Sequence, residues 1–349
     1  MRRLLATGVP AAVLALLAAA PAIHVDVPVV LPGELASPGS LQLLALALVF
    51  GGVALTYDLL FGVTGLLSFG HALYFAVGVY LTAIAFTKWG WGMAPTFALL
   101  TGVAVALPLV LGSISLRVGG IAFAMVTLAF AQAAQVLVQK NPDGLTGGEE
   151  GLGLNFDPLP DAFVGVLNTK NLYWLFLGYA VLVFAVVRCA VASSPGHVWQ
   201  AIRENERRVE VIGLRPFTYK LVAFVLASFL ATAGGLVWLL LIGGATPEVT
   251  TANFTLTLLV MVVLGGAGTR YGAVAGGFLY TVLDQRLGSL AGSSDVQGLP
   301  GVLRVPLSEP LFLLGTLFVA VVVFVPGGVA SLPQRLRALV RALRPEAEA

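Results

Sequence analysis

Few side chains in this sequence can do chemistry, and their spacing excludes most kinds of it. Three histidines, His24, His71 and His197, lie far apart and show no metal-ligand spacing, so no metal site is expected. The single cysteine, Cys189, rules out an internal disulfide framework; beside Arg188 it reads as a small buried residue at a span end. Serine, histidine and aspartate all occur, but no G-x-S-x-G places a nucleophile. The apolar stretches hold no paired carboxylates and no metal-binding helix motif. There is no G-x-x-x-x-G-K-[ST] phosphate loop, so this chain does not hydrolyse ATP itself. An enzyme is therefore not expected.

What remains is a handful of polar groups in apolar surroundings. Asp58, Ser68, His71, Thr127 and Gln132, with Gln135 nearby, are candidates for lining a solute pathway, because polar groups inside a membrane are costly and mark function. Each has a plainer reading. Asp58 can be a helix-end residue, His71 a packing residue, and Thr127 can bond its own helix backbone. Asp284 and Arg286 are two apart and do not share a helix face. Proton- or sodium-coupled carriers use relays of buried carboxylates or histidines. Their scarcity here leaves a pathway whose energy comes from elsewhere.

The elements that must position these groups are apolar helices. The chain has 349 residues, 58% hydrophobic and 10% charged, with mean hydropathy +0.96. Apolar runs of roughly 20 residues recur along it, which predicts an all-α polytopic membrane protein. The whole chain, 1–349, reads as one transmembrane domain. Residues 1–22 (MRRLLATGVPAAVLALLAAAPA) are a first span or a signal-like segment, with the uncleaved span favoured. Further spans are expected at roughly 41–61, 65–87, 95–115, 119–138, 171–191, 217–242, 253–267, 272–290 and 310–327, about ten in all. That topology sets 14 basic residues inside against 5 outside, accounting for all 19, and puts both termini in the cytoplasm. The eighth span is short, about 20 Å as a helix against a core of about 30 Å, and ends in LGGAGTRYGAVAGG; a tilted or broken helix is expected there. A second glycine-rich turn, GVTGLLSFGHA, joins the second and third spans, and the two together suggest an inverted repeat.

One charged island interrupts the apolar pattern, SSPGHVWQAIRENERRVEVIGLRPFTYK at Ser193–Lys220. Ser194 suits an N-cap, Pro195 the first turn, and Gly213 a left-handed C-cap. Val198, Ala201, Ile202, Val209 and Ile212 make an apolar stripe, and Glu204 can pair with Arg208 four residues on. A solvated positive-inside loop and a handle for a soluble partner both fit. The external loop 139–171 is acidic, with Asp143, Glu149, Glu150, Asp157 and Asp161, and lacks the spacing of a calcium loop; it is a solvated loop or a docking surface. Residues 333–349 predict an amphipathic helix on the inner leaflet, in contact with lipid. The basic residues are dispersed along membrane flanks, so no nucleic-acid partner is expected.

SPGHVWQAIRENERRVEVIGLRPFTYKLVAF resembles the cytoplasmic loop of inner-membrane permeases in binding-protein-dependent ABC importers of the branched-chain amino-acid family. LLFGVTGLLSFGHALYFAVGVYL, GIAFAMVTLAFAQ with DGLTGGEEGLGL, and LVMVVLGGAGTRYGAVAGG match the same family, in order, across roughly residues 41 to 290. The sequence departs from its pattern in places. The family often has a small residue near Val209 and Asn near Asp58, and its loop commonly reads T-G-G-x-D-G where Glu149 and Glu150 stand.

The resemblance implies a type II-importer-like permease in a bacterial plasma (inner) membrane. It implies a second homologous permease, two cytosolic ABC ATPases that carry the ATP and Mg, and an extracytoplasmic solute-binding protein; the permease itself binds no cofactor. The family's coupling helix falls on 196–213 within region 193–216, with Gly196, Ala201, Ile202, Arg203, Glu204, Asn205, Arg207 and Gly213 as its residues. That helix would move as a rigid lever. Gly147, Gly148, Glu149 and Glu150 become candidates for docking the binding protein. The implied substrates are Leu, Ile and Val. Urea or short-chain amides are the alternative within the same machinery, and a secondary transporter or channel is the alternative outside it.

Overall fold

The computed structural model describes residues 13–23, 25, 33–165, 168–291, 309–325 and 327–332. Most of the first predicted span before Val13, and the predicted tail at 333–349, lie outside the described residues. Among the described residues, eleven helices carry the fold: α1 (Val13–Ala22), α2 (Pro38–Asp58), α3 (His71–Thr87), α4 (Met93–Ser115), α5 (Gly120–Lys140), α6 (Thr169–Ala192), α7 (Ser194–Val211), α8 (Pro216–Ile242), α9 (Ala252–Gly265), α10 (Arg270–Ala291) and α11 (Pro310–Phe324). A two-residue antiparallel pair, β1 (Leu152–Gly153) with β2 (Gly244–Ala245), sets Leu152 opposite Ala245.

Among the described residues, six helices are long and apolar enough to cross a membrane, or seven if α9 and α10, bent by 120° at their junction, count as one span. The protein is thus an all-α membrane bundle, and among the described residues the apolar segments fall near their expected places, with the third starting only at His71. The shortfall from ten comes from α1 and α3, shorter apolar helices, and from the bent α9–α10 pair. Short or broken helices at membrane depth are tolerated where neighbours satisfy their backbone.

The core is built around α2. Within the apolar part of Pro38–Thr64, 89% of residues are buried, against 22% in α4 and 12% at the C-terminal span, so α2 is the central helix and the others shield it. It starts at Ser37, whose Oγ accepts from Ser40 N at 3.3 Å, followed by Pro38 in the first turn. α6 and α10 lie against α2, and α3 lies against α8. Lipid supplies no hydrophobic drive between helices, so close approach through small residues takes its place. At the α3–α8 crossing, a side chain on Gly78 would collide with the Thr232 carbonyl, and one on Gly235 with the Phe75 carbonyl. Tyr179 of α6 is wedged between Gly52 and Gly234, and its hydroxyl donates to Leu230 O at 3.1 Å.

The contacts among the described residues sort the loops into two ends. One end gathers α7, the C-terminal turn of α2 and the α9–α10 turn. The other gathers the β pair and the C-termini of α3, α5 and α8. Both glycine-rich breaks therefore fall at the same end, each entered by a helix C-terminus and left by a helix N-terminus. The two breaks bond each other. Cys189 is exposed rather than buried, because it lies on the outer side of α6.

Candidate functional site

α2 ends by loosening into a π-helical turn, Leu59–Thr64, closed by Gly65 at φ 79°. Residues 65–70 are then irregular until α3 begins at His71. Side chains from other helices satisfy the freed backbone. Thr127 Oγ1 on α5 accepts from Phe69 N at 3.1 Å and donates to Ala124 O at 2.9 Å. Thr255 Oγ1 on α9 accepts from Ala72 N at 3.0 Å and donates to Phe69 O at 3.3 Å. Ser68 Oγ accepts from Gly70 N at 3.2 Å. His71 Nε2 lies 2.8 Å from Thr56 Oγ1, while Tyr57 meets the imidazole edge-on at 5.4 Å.

The second break answers the first. Gly268, in the α9–α10 turn with φ 80°, donates its N–H to Asp58 Oδ1 at 2.7 Å. Thr255, from the helix before the second break, thus holds the first break, and Asp58, from the helix before the first, holds the second. Gly62 lies between Asp58 and Gly268 with no room for a side chain toward either. Of the candidate pathway residues, Asp58, Ser68, His71 and Thr127 are buried at this clasp and its neighbourhood, with protein groups as hydrogen-bond partners. Gln132 stands apart, exposed on α5.

α7 docks on the same region. Its N-cap is Ser193 rather than Ser194, with Pro195 in the first turn; Ser193 Oγ is turned back to Ala190 O at 2.6 Å. Gly196 is buried against the Ala190 and Val191 carbonyls, which lets α7 fold sharply from the end of α6. Trp199, 1% exposed, donates Nε1–H to Tyr219 O at 2.8 Å and fixes α7 on α8. Ile202 and Val209 are buried, whereas Ala201, Glu204, Asn205, Arg207 and Gly213 are exposed. Arg203 is exposed as a whole, yet its Nη1 donates to the Gly62 carbonyl and its stem covers Gly65.

The rigid single lever is corrected by the backbone at Asn205 (φ −162°, ψ 102°), which divides α7 in two. Asn competes with the helix for backbone groups, and here Asn205 Oδ1 accepts from Arg208 N at 3.1 Å as the cap of the second piece. The break interrupts the register that would pair Glu204 with Arg208. It also splits the apolar stripe, leaving Val211 and Ile212 at 86% and 72% exposure. The ion pair formed instead is Lys220 Nζ to Glu206 Oε1 at 2.5 Å. Gly213, at φ 88°, closes the second piece as its sequence position predicts.

At the opposite end the long loop is folded. Asn141 caps α5 and its Oδ1 accepts from Thr146 N at 2.9 Å and Gly147 N at 3.0 Å. Gly147 and Gly148 turn the chain with positive φ; Gly148 is buried, and Glu149 and Glu150 are exposed beside it. Thr87 Oγ1 ties the loop to α3, donating to Gly153 O at 3.0 Å. No group of three metal-ligating side chains occurs among the described residues. An open cleft of about 360 Å³ at this end lies between α2, α8 and α10, with Gln42, Gln285 and Arg286 beside Leu43, Leu46 and Leu241.

The residues that sequence reasoning missed are those that receive α7 and the clasp: Gly62, Gly268, Thr255 and Trp199. The glycines were visible as turn formers, but nothing in their spacing says what they contact. Thr255 lies in an apolar helix with no local signal at all.

The model of the family described as branched-chain amino acid transport system / permease component matches residues 39–323. The chain is 28% identical over 268 residues to the high-affinity branched-chain amino acid transport system permease protein LivM of Salmonella typhimurium, covering 70% of this chain and 63% of that protein. It is 27% identical over 268 residues to the protein of the same name from Escherichia coli, with the same coverages. The chain thus spans under two thirds of the length of these curated relatives. No solved structure matches it.

Proposed function

Because the chain belongs to the family of branched-chain amino acid transport system permease components, we propose that it forms the membrane pathway of a binding-protein-dependent ABC importer for Leu, Ile and Val. Two cytosolic ATPases drive it, a second homologous permease completes the pathway, and an extracytoplasmic binding protein delivers the solute. The protein lies in a bacterial inner membrane with about ten passes, the α7 end inside; the 14-to-5 distribution of basic residues supports that orientation.

The observation that carries the reading is the seat of α7. A charged helix pair lies across the end of the bundle, its Arg203 bonded to the Gly62 carbonyl at the break in α2, next to the turn of α9–α10. Its outer surface offers Val211 and Ile212 among arginines, a surface suited to a groove on a soluble partner. A partner that displaces α7 therefore acts on both breaks without any side-chain chemistry of its own in the membrane. The solute pathway is assigned to the broken-helix region framed by Ser68, His71, Thr127 and Asp58, with Gln132 on the open face of α5. The binding protein is assigned to the Gly147–Glu150 turn, whose exposed Glu149 and Glu150 stand on a fixed scaffold.

Branched-chain amino acids are preferred over urea on the family match across residues 39–323. The test is thermal melting of the cognate binding protein. Leu, Ile and Val raise its midpoint if the reading holds; stabilisation by urea or acetamide alone assigns the chain to amide uptake.

A further inference from the structure

Asp58 is 0% exposed, and only one of its oxygens is used. Oδ1 accepts from Gly268 N at 2.7 Å, while Oδ2 is buried with no hydrogen-bond partner. An unpartnered buried carboxylate oxygen is costly, and proteins rarely keep one without a use for it. A guanidinium lies close by. Arg203 Nη1 donates to Gly62 O, and a side chain built on Gly268 would stand 2.8 Å from that same Nη1. A side chain built on Gly62 would collide with Asp58 Oδ1. Only the backbones of two glycines separate the guanidinium from the carboxylate. Arginine carries five donors in a fork that matches a carboxylate, and a lone carbonyl uses little of that capacity.

We propose that Asp58 is the second partner of Arg203. When α7 is displaced, the guanidinium leaves the Gly62 carbonyl and pairs with Asp58, and the carboxylate then releases Gly268 N. The α9–α10 turn is held in one position of α7 and freed in the other. Asp58 acts as a positioning residue that links the α7 handle to the second break. The exchange is a two-state element of the kind that converts a small displacement into a discrete rearrangement. It rests on α7 being the coupling element, and it adds the group through which α7 acts.

The test is a double-mutant cycle in proteoliposomes holding the chain with its cognate second permease, ATPases and binding protein. Asp58→Asn, Arg203→Gln and the double variant are compared by solute imported per ATP hydrolysed. Asp58→Asn keeps an acceptor for Gly268 N and removes the charge. Each single change is expected to lower the ratio about tenfold, and the double to stay near tenfold instead of approaching about a hundredfold. Multiplying effects overturn the pairing. If Arg203→Gln uncouples and Asp58→Asn does not, the role of Asp58 falls and α7 keeps its own. If neither changes the ratio, α7 is not the coupling element and both readings fall. Should Asp58→Asn fail to fold, spin labels at positions 207 and 269 of the otherwise unchanged chain replace it: a distance that differs between nucleotide-free and ATP-trapped complexes supports the exchange, and an unchanged distance overturns it.

Discussion

At the scale of single residues, the structure turns candidate pathway groups into the frame of a broken helix. Thr127 shows how. Its hydroxyl is the acceptor for Phe69 N in a segment that has lost its helical bonds. Thr127→Val keeps the shape and leaves that N–H buried without a partner, which costs about 1–3 kcal/mol. The expected outcome is a lowered melting midpoint in detergent, with Thr127→Ser close to the parent; equal midpoints for all three proteins would remove the hydroxyl from the account. This role was half legible. A threonine bonding its own helix is a local rule, and Thr127 does donate to Ala124 O. Its second bond reaches back 58 residues in sequence, and no local pattern carries that. Asp58 was visible as an odd charge in an apolar run, but its partner Gly268 lies 210 residues away and contributes only a backbone N–H.

At the scale of elements, α7 is two short helices. The sequence displayed its charge, its proline start and its glycine end, all of them short-range signals that the structure bears out in place. The break was hidden because Asn is an ordinary residue on an exposed helix, and only its capping of Arg208 N reveals the second start. Asn205→Ala removes that cap, worth about 1 kcal/mol, and favours one continuous helix. A continuous helix would re-aim Val211 and Ile212, so weaker retention of the ATPases through purification is expected, with insertion of the permease unchanged. Undiminished retention would make the break irrelevant to docking. The α3–α8 crossing gives a separate check. Gly78→Val drives a side chain into the Thr232 backbone carbonyl, which cannot move out of the way as a flexible side chain can. A loss of about 1–3 kcal/mol follows from such overpacking, read as reduced yield of monodisperse protein. A substitution at Gly102, which faces open space, is expected to leave the yield unchanged.

At the scale of the whole molecule, hydropathy was enough for the class of fold, because in a membrane the length of each apolar run is dictated by the bilayer. It was not enough for the architecture. Which helix is central, and that two glycine-rich breaks clasp each other at one end, follow from contacts between distant segments. The resemblance of ordered motifs to a permease family agrees with a family match over residues 39–323, while the partners and the solute remain proposals drawn from that membership. Among the described residues, the charged helix α7 sits on the breaks of the two discontinuous hairpins, where a partner acting on α7 would reach both. The central claim is that solute crosses this protein only when ATPases act on α7. Its direct measurement is uptake of radiolabelled leucine into proteoliposomes containing the permease pair and binding protein, with and without the ATPases and ATP. The account predicts uptake only in the complete, ATP-fed vesicles, and its loss when Arg203→Glu and Glu204→Arg are combined. Uptake by the permease alone down a proton or sodium gradient would contradict it.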